Sequence, residues 1–217
     1  MRTSARYAGV PDCCKTVRVA ELLTLREDDA AHRRRLLAGM AAAVAERPYS
    51  QVTVADIVRL ARTSRRTFYQ HFADKQECLV ALIEDSHRRL VADIAGAVDR
   101  TAPWTDQVRQ AIEAWIAGVQ ADPRATLNWI RIVPALGPDA HALMRGTLGA
   151  YADLIRSLAD NPAFAGAGVR VPSPPETTML LGALRELIAT TVEDGEDITG
   201  IIEVATDFTI RVLTPRS

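Results

Sequence analysis

Residues 63–75 read TSRRTFYQHFADK, with two phenylalanines four residues apart at 68 and 72. Around them stand two arginines, a tyrosine, a glutamine and a histidine. Stepping about 100° per residue from the midpoint of the Phe68–Phe72 edge puts Gln70 roughly opposite, with Arg66 and Thr67 on the outer face. Tyr69 and His71 flank that face, while Arg65 falls nearer the buried side within an exposed first turn. Such a helix buries two rings and presents the rest outward. The outward residue types suit DNA: arginine can bind guanine bidentately and glutamine adenine, and threonine and tyrosine reach phosphates or a thymine methyl. Free helix-end amides at Ser64 to Arg66, and again near Lys75, favour a phosphate.

The net charge of -1 hides an asymmetry. Residues 30–75 hold nine basic against three acidic side chains, whereas residues 76–217 hold twelve against nineteen. One short basic segment inside an acidic chain is expected where that segment alone meets a polyanion.

Working outward, apolar residues recur at three- and four-residue spacing from residue 30 to the end, so the chain is expected to be all-α. Asp28 and Asp29 are placed to cap a first helix whose buried stripe is Leu36, Leu37, Met40, Val44 and Ala41, with Pro48 at its exit. Thr53, three residues before Asp56, has the form of a capping box for a short second helix. Ser64 is the cap of the third, which ends near Phe72, and Asp74 caps a long fourth. Prolines at helix-length intervals predict further helices near 104–121, 124–135, 138–160, 175–193 and 198–213. Residues 161–175, rich in Gly and Pro, are expected to be an irregular loop. Two short helices with a tight turn between them, the second outward-facing, form a helix-turn-helix arrangement.

These residues carry a resemblance. VTVADIVRLARTSRRTFYQHFADKQECLVALI, residues 52–83, resembles the N-terminal domain of TetR-family bacterial transcriptional regulators. Thr53, Ile57, Ala61, Ser64, Thr67, Tyr69, His71, Phe72, Lys75 and Leu79 fall on the family's pattern. There are departures: Arg62 and Thr63 replace the usual Gly-Val of the turn, Arg66 stands where glycine is common, and Val58 replaces a common alanine. If the turn needs a positive φ, Arg62 bears backbone strain.

The resemblance implies an N-terminal three-helix helix-turn-helix domain at residues 29–76, after an extension at 1–28. A larger C-terminal helical domain, 77–217, would bind a small-molecule effector and dimerise. Thr53, Ser64, Arg65, Arg66, Thr67, Tyr69, Gln70, His71 and Lys75 are the candidate contacts to a double-stranded DNA operator. Trp115, Trp129, Asn128, Met144, Tyr151, Met179 and Arg185 are the candidates for the effector pocket, with Trp104, Arg131 and His141 as further possibilities. The last two helices, 175–193 and 198–213, would form the homodimer surface. The expected function is a ligand-responsive regulator, by family default a repressor.

Other classes leave little trace. No phosphate loop, G-x-S-x-G or H-E-x-x-H is present, so no catalytic residues are assigned and a helical enzyme is the distant rival. A DNA binder without an effector is the nearer one. His87 and His141 lack metal-ligand spacing, and no metal or cofactor is expected. Cys13, Cys14 and Cys78 form neither a disulfide framework nor a zinc site, although a redox sensor stays open until the burial of Cys78 is known. No run is long enough to span a bilayer and no signal peptide is evident, so a cytoplasmic protein is expected.

Overall fold

A computed structural model describes residues 13–131 and 133–214, with side chains from Asp28 onward except at 132, 135, 136, 138–141 and 165. Every regular element among these residues is helical: α1 Cys13–Glu46, α2 Val54–Leu60, α3 Arg65–His71, α4 Lys75–Ala97, α5 Trp104–Ala121, α6 Pro123–Arg131, α7 Pro138–Ala159, α8 Pro162–Gly166, α9 Pro174–Glu193 and α10 Ile202–Leu213. Residues 1–12, part of the expected N-terminal extension, lie outside the described residues.

Helix α1 corrects the expected start. Asp28 and Asp29 lie inside it, and the Asp28 carbonyl accepts a 2.7 Å bond from the His32 ring one turn on. Between residues 13 and 38 there is neither proline nor glycine, so nothing ahead of the aspartates interrupts the backbone ladder. The caps further on form as their residue types require. Thr53 Oγ1 accepts from the Asp56 amide at 3.2 Å while Asp56 Oδ2 accepts from the Thr53 amide at 3.0 Å. Ser64 Oγ accepts from the Thr67 amide and Asp74 Oδ1 from the Glu77 amide, at 3.0 and 2.8 Å. Each satisfies one of the orphan donors that a helix start leaves.

Two cores result. The first joins Leu36, Leu37, Met40 and Ala43 of α1 to Ile57 and Val58 of α2, Phe68 and Phe72 around α3, and Cys78 and Leu79 of α4. The second gathers Ile112 and Ile116 of α5, Ile130 of α6, Leu184 and Ile188 of α9 and Ala205 of α10. A smaller group of Ile94, Tyr151 and Leu181 lies along the distal half of α4, which therefore runs from the first core into the rest of the molecule. At the crossing of α1 and α2 the helices meet backbone to backbone. A Cβ on Gly39 would stand 2.6 Å from the Ile57 carbonyl oxygen and 2.9 Å from Ala61 Cβ.

Three boundaries differ from expectation. The segment expected as one helix near 124–135 divides into α6 and a 3-10 turn, Val133–Leu136, because Pro134 lacks an amide and restricts the residue before it. Residues 161–175 contain the short helix α8: Asn161 Oδ1 accepts from the Ala163 amide at 2.8 Å, and Pro162 occupies the first helical position. The final helix opens as a 3-10 turn, Ile198–Ile201, with the Asp197 side chain accepting from the Thr199 amide.

Candidate nucleic-acid interface and ligand cavity

The turn between α2 and α3 is set by one strained residue. Arg62 has φ +50°, the sole positive φ outside glycine among the described residues. The expectation of strain there is met, and the Thr63 amide closes the turn on the Val58 carbonyl at 3.0 Å. Phe68 and Phe72 are buried beneath the reading face. Arg65, Arg66, Tyr69 and Gln70 are exposed above it, Tyr69 at 58% while its ring meets Phe68 edge-on at 5.4 Å. Thr67 is half-buried, its hydroxyl 2.9 Å from that of Ser64. The Thr53 hydroxyl donates to Asp56 at 2.6 Å. Those three hydroxyl groups sit at helix starts and are already engaged in capping.

Two candidates turn inward. The His71 side chain is 8% exposed, stacks on His32 at 6.5 Å and has Nε2 3.6 Å from Asp29 Oδ1, so it packs α3 against α1 instead of flanking the outer face. Lys75 Nζ donates to the carbonyls of Val52 and Tyr49 at 2.7 and 3.2 Å and stands 4.6 Å from the centre of the Tyr49 ring. The extended backbone at Phe72 ends the α3 direction, and residue 75 then faces the turn before α2.

A cavity of about 420 Å³ lies between the two cores. Six of the seven expected pocket residues line it: Trp115, Trp129, Asn128, Met144, Tyr151 and Arg185. Met179 does not. It is 64% exposed on the outer side of α9, because Thr177, Leu180, Leu181 and Leu184 take up the buried face of that helix. Trp104 packs on Phe164 at 6.0 Å, away from the cavity, and Arg131 lies at the surface pairing with Glu186 and Glu193. The side chain of His141 lies outside the described residues.

Sequence reading missed two groups. His87 lines the cavity, its ring 4.3 Å from Trp129 and 6.4 Å from Tyr151. Its Nδ1 donates to the Ile83 carbonyl at 2.9 Å, and burial holds the imidazole below its ordinary pKa, which favours the neutral ring. Burial likewise pushes the Tyr151 phenol up. The other group is Ala41, Val44, Tyr49 and Leu79, which bring the helix-turn-helix part to the cavity wall. Periodicity marked some of these as core but could not show which neighbour each would face.

Residues 36–82 match the family model described as bacterial regulatory proteins, tetR family. That segment is similar to the DNA-binding part of the tetR family. Among solved structures, the fatty acid degradation regulator FadR from Bacillus halodurans is similar with a TM-score of 0.69 and 17% identity, over 80% of this chain and 95% of that one. FadR from Bacillus subtilis, in complex with stearoyl-CoA, gives 0.69 and 15% over the same shares, 80% and 95%. The reduced form of E. coli NemR gives 0.65 and 15%, covering 86% and 100%. At these identities it is the all-helical two-domain fold that is shared. No curated protein matches the chain.

The TetR-family match begins at Leu36, a fully buried residue of α1, and ends at Leu82 within α4. It therefore spans the first core and the reading face. Outside the matched segment, Met179 of α9 and Val204 and Phe208 of α10 expose large apolar side chains. Cys78 is fully buried and its thiol is pushed up to about 12, chiefly by desolvation, which makes it inert. The side chains of Cys13 and Cys14 lie outside the described residues. No cluster of metal-ligating side chains and no helix long and apolar enough to cross a membrane occurs among the described residues.

Proposed function

We propose that this protein is a ligand-responsive transcriptional repressor that binds a near-palindromic operator as a homodimer and is released by a small-molecule effector. The observation that carries the DNA-binding half is the outer face of α3: Arg65, Arg66, Tyr69 and Gln70 exposed over a buried Phe68. Arg66 and Gln70 read base edges, and Arg65 and Tyr69 position the backbone. Thr53, Ser64 and Thr67 hold the two helix starts in register for that contact. The DNA-binding domain is residues 29–76, and residues 77–217 form the effector and dimerisation domain.

The exposed apolar side chains of α9 and α10 support pairing of those helices with a second copy, since patches of this kind mark interaction surfaces. Two reading helices then enter successive major grooves about 34 Å apart. The cavity supports an effector over a ligand-independent binder, and its contact with both parts of the chain supplies a route for coupling. An effector shifts the dimer off DNA only to the extent that it prefers a spacing the operator does not match.

The test is a binding selection with the purified protein on fragments flanking its own gene, followed by a salt titration of the best site. A palindromic site with a steep salt dependence is expected. Weak binding indifferent to sequence would overturn the reading.

A further inference from the structure

The cavity wall is mostly apolar; its charged lining residues are Asp93, Asp122, Arg89, which pairs with Asp85, and Arg185, whose charge is felt by Glu186 without an ion pair between them. Leu181, Arg185 and Ile188 follow one another on α9 at spacings of four and three, which puts them on one helical face, and all three line the cavity. Arg185 is half-buried, and its Nε is enclosed without a hydrogen-bond acceptor. The two glutamates nearby on the same helix, Glu186 and Glu193, are engaged by Arg131 at 2.8 and 2.7 Å. No ion pair joins Arg185 to a carboxylate among the described residues.

A guanidinium cannot shed its proton to escape burial, so an anion is the natural complement of its enclosed Nε. The forked donor geometry favours a planar carboxylate. His87 on the same wall adds no positive charge in its neutral form, since Nδ1 donates to the Ile83 carbonyl and Nε2 is left as an acceptor, and of the two lining carboxylates Asp122 is engaged by the Ala125 amide. The rings of Trp115, Tyr151, His87 and Trp129 form a connected wall, Trp115 lying 5.7 Å from Tyr151 and His87 linking Tyr151 to Trp129.

We infer that the cavity takes an amphipathic organic anion, with an apolar body against Trp115, Trp129 and Tyr151 and one carboxylate-type head on Arg185. This rests on the ligand-binding reading above and names the chemical class of that ligand.

The experiment is calorimetric titration of the full chain, without DNA, with two matched pairs: decanoate against decanol, and naphthoate against naphthamide. In at least one pair the acid is expected to bind about tenfold tighter than its neutral partner, as a charge-assisted pair would give. Arg185→Met, which keeps the apolar stem, should bring the two affinities of that pair within about twofold while retaining the neutral ligand, and Arg185→Lys should restore part of the difference. Wild type that binds neither pair, or makes no distinction between acid and neutral partner, overturns the inference. So does an Arg185→Met protein that keeps the preference, or one that changes only its sedimentation, which would assign the guanidinium to a contact between copies. Because DNA is absent, failure here leaves operator binding standing, and failure of the operator selection leaves these affinities measurable.

Discussion

Lys75 holds Tyr49 in two ways at once, with its ammonium 4.6 Å from the ring centre and 3.2 Å from the backbone carbonyl of the same residue. A third contact, to the Val52 carbonyl at 2.7 Å, ties the start of α4 to the turn before α2. The residue that sequence reading assigns to a phosphate is thus an internal strap, and Tyr49 at its other end also lines the cavity. The helix-turn-helix and the cavity share a fastening.

Removing that strap has a distinguishable effect. Lys75→Met is expected to destabilise the protein by about 1–3 kcal/mol, from lost charge-assisted bonds and the cation–π contact, and to leave the salt slope of DNA binding unchanged. Arg66→Ala should do the reverse, lowering the slope if it meets a phosphate or relaxing base preference if it meets guanine. Urea unfolding and salt titration of both variants check this; a fall of about one in the slope for Lys75→Met would restore its phosphate role.

Gln70→Ala is expected to relax preference at one operator position by about 1–3 kcal/mol, with little change elsewhere in the site. Binding to a panel of single-base operator variants measures it. A uniform loss across the panel would place Gln70 on the backbone instead.

Arg62 sits at φ +50° without the freedom of glycine. Arg62→Gly removes a left-handed penalty of about 1–2 kcal/mol and adds back roughly 0.5–1 in unfolded-chain entropy, so a small net gain in stability is expected. Denaturant midpoints at unchanged slope are the readout.

Glu176 gives an acid limb. Its carboxyl is held down at about 2 by Arg170, 2.6 Å away, and by the Ser173 amide and hydroxyl at the start of α9. A depressed carboxylate stabilises the fold above its ordinary pKa of 4.5, and that contribution is lost as pH falls from there toward about 2. Glu176→Gln should flatten the stability profile across that window and leave the neutral region with a constant offset, as read by thermal unfolding at a series of pH values.

Much of this was legible in the residues. Thr53, Ser64 and Asp74 cap where their types and spacing indicate, because capping is a local reaction of a side chain with amides two or three residues on. Phe68 and Phe72 gave the buried edge of α3, and the outer positions followed by rotation. What rotation cannot supply is the neighbour across the gap. His71 and Lys75 turn inward because Asp29, His32 and the Tyr49–Val52 turn happen to receive them, and those partners come from segments far off in the chain or from a helix longer than its caps suggested. Met179 was misplaced for a related reason: an apolar side chain on a helix with two apolar faces does not say which face it serves. His87, alone in the sequence, became a cavity residue only when α6 brought Trp129 against it.

The close crossing at Gly39 bears on how such a protein can be redesigned. Any side chain there meets the Ile57 carbonyl and Ala61, so α2 would have to move, and α3 with it. Residues 65, 66, 69 and 70 stand clear of that crossing and can be randomised in search of a new operator. Position 39 belongs in no such library: it lies off the outer face of α3, yet it sets the angle at which α2 and α3 are held. The vocabulary of this reader and its posture are inherited separately, and a change of language need not disturb the stance.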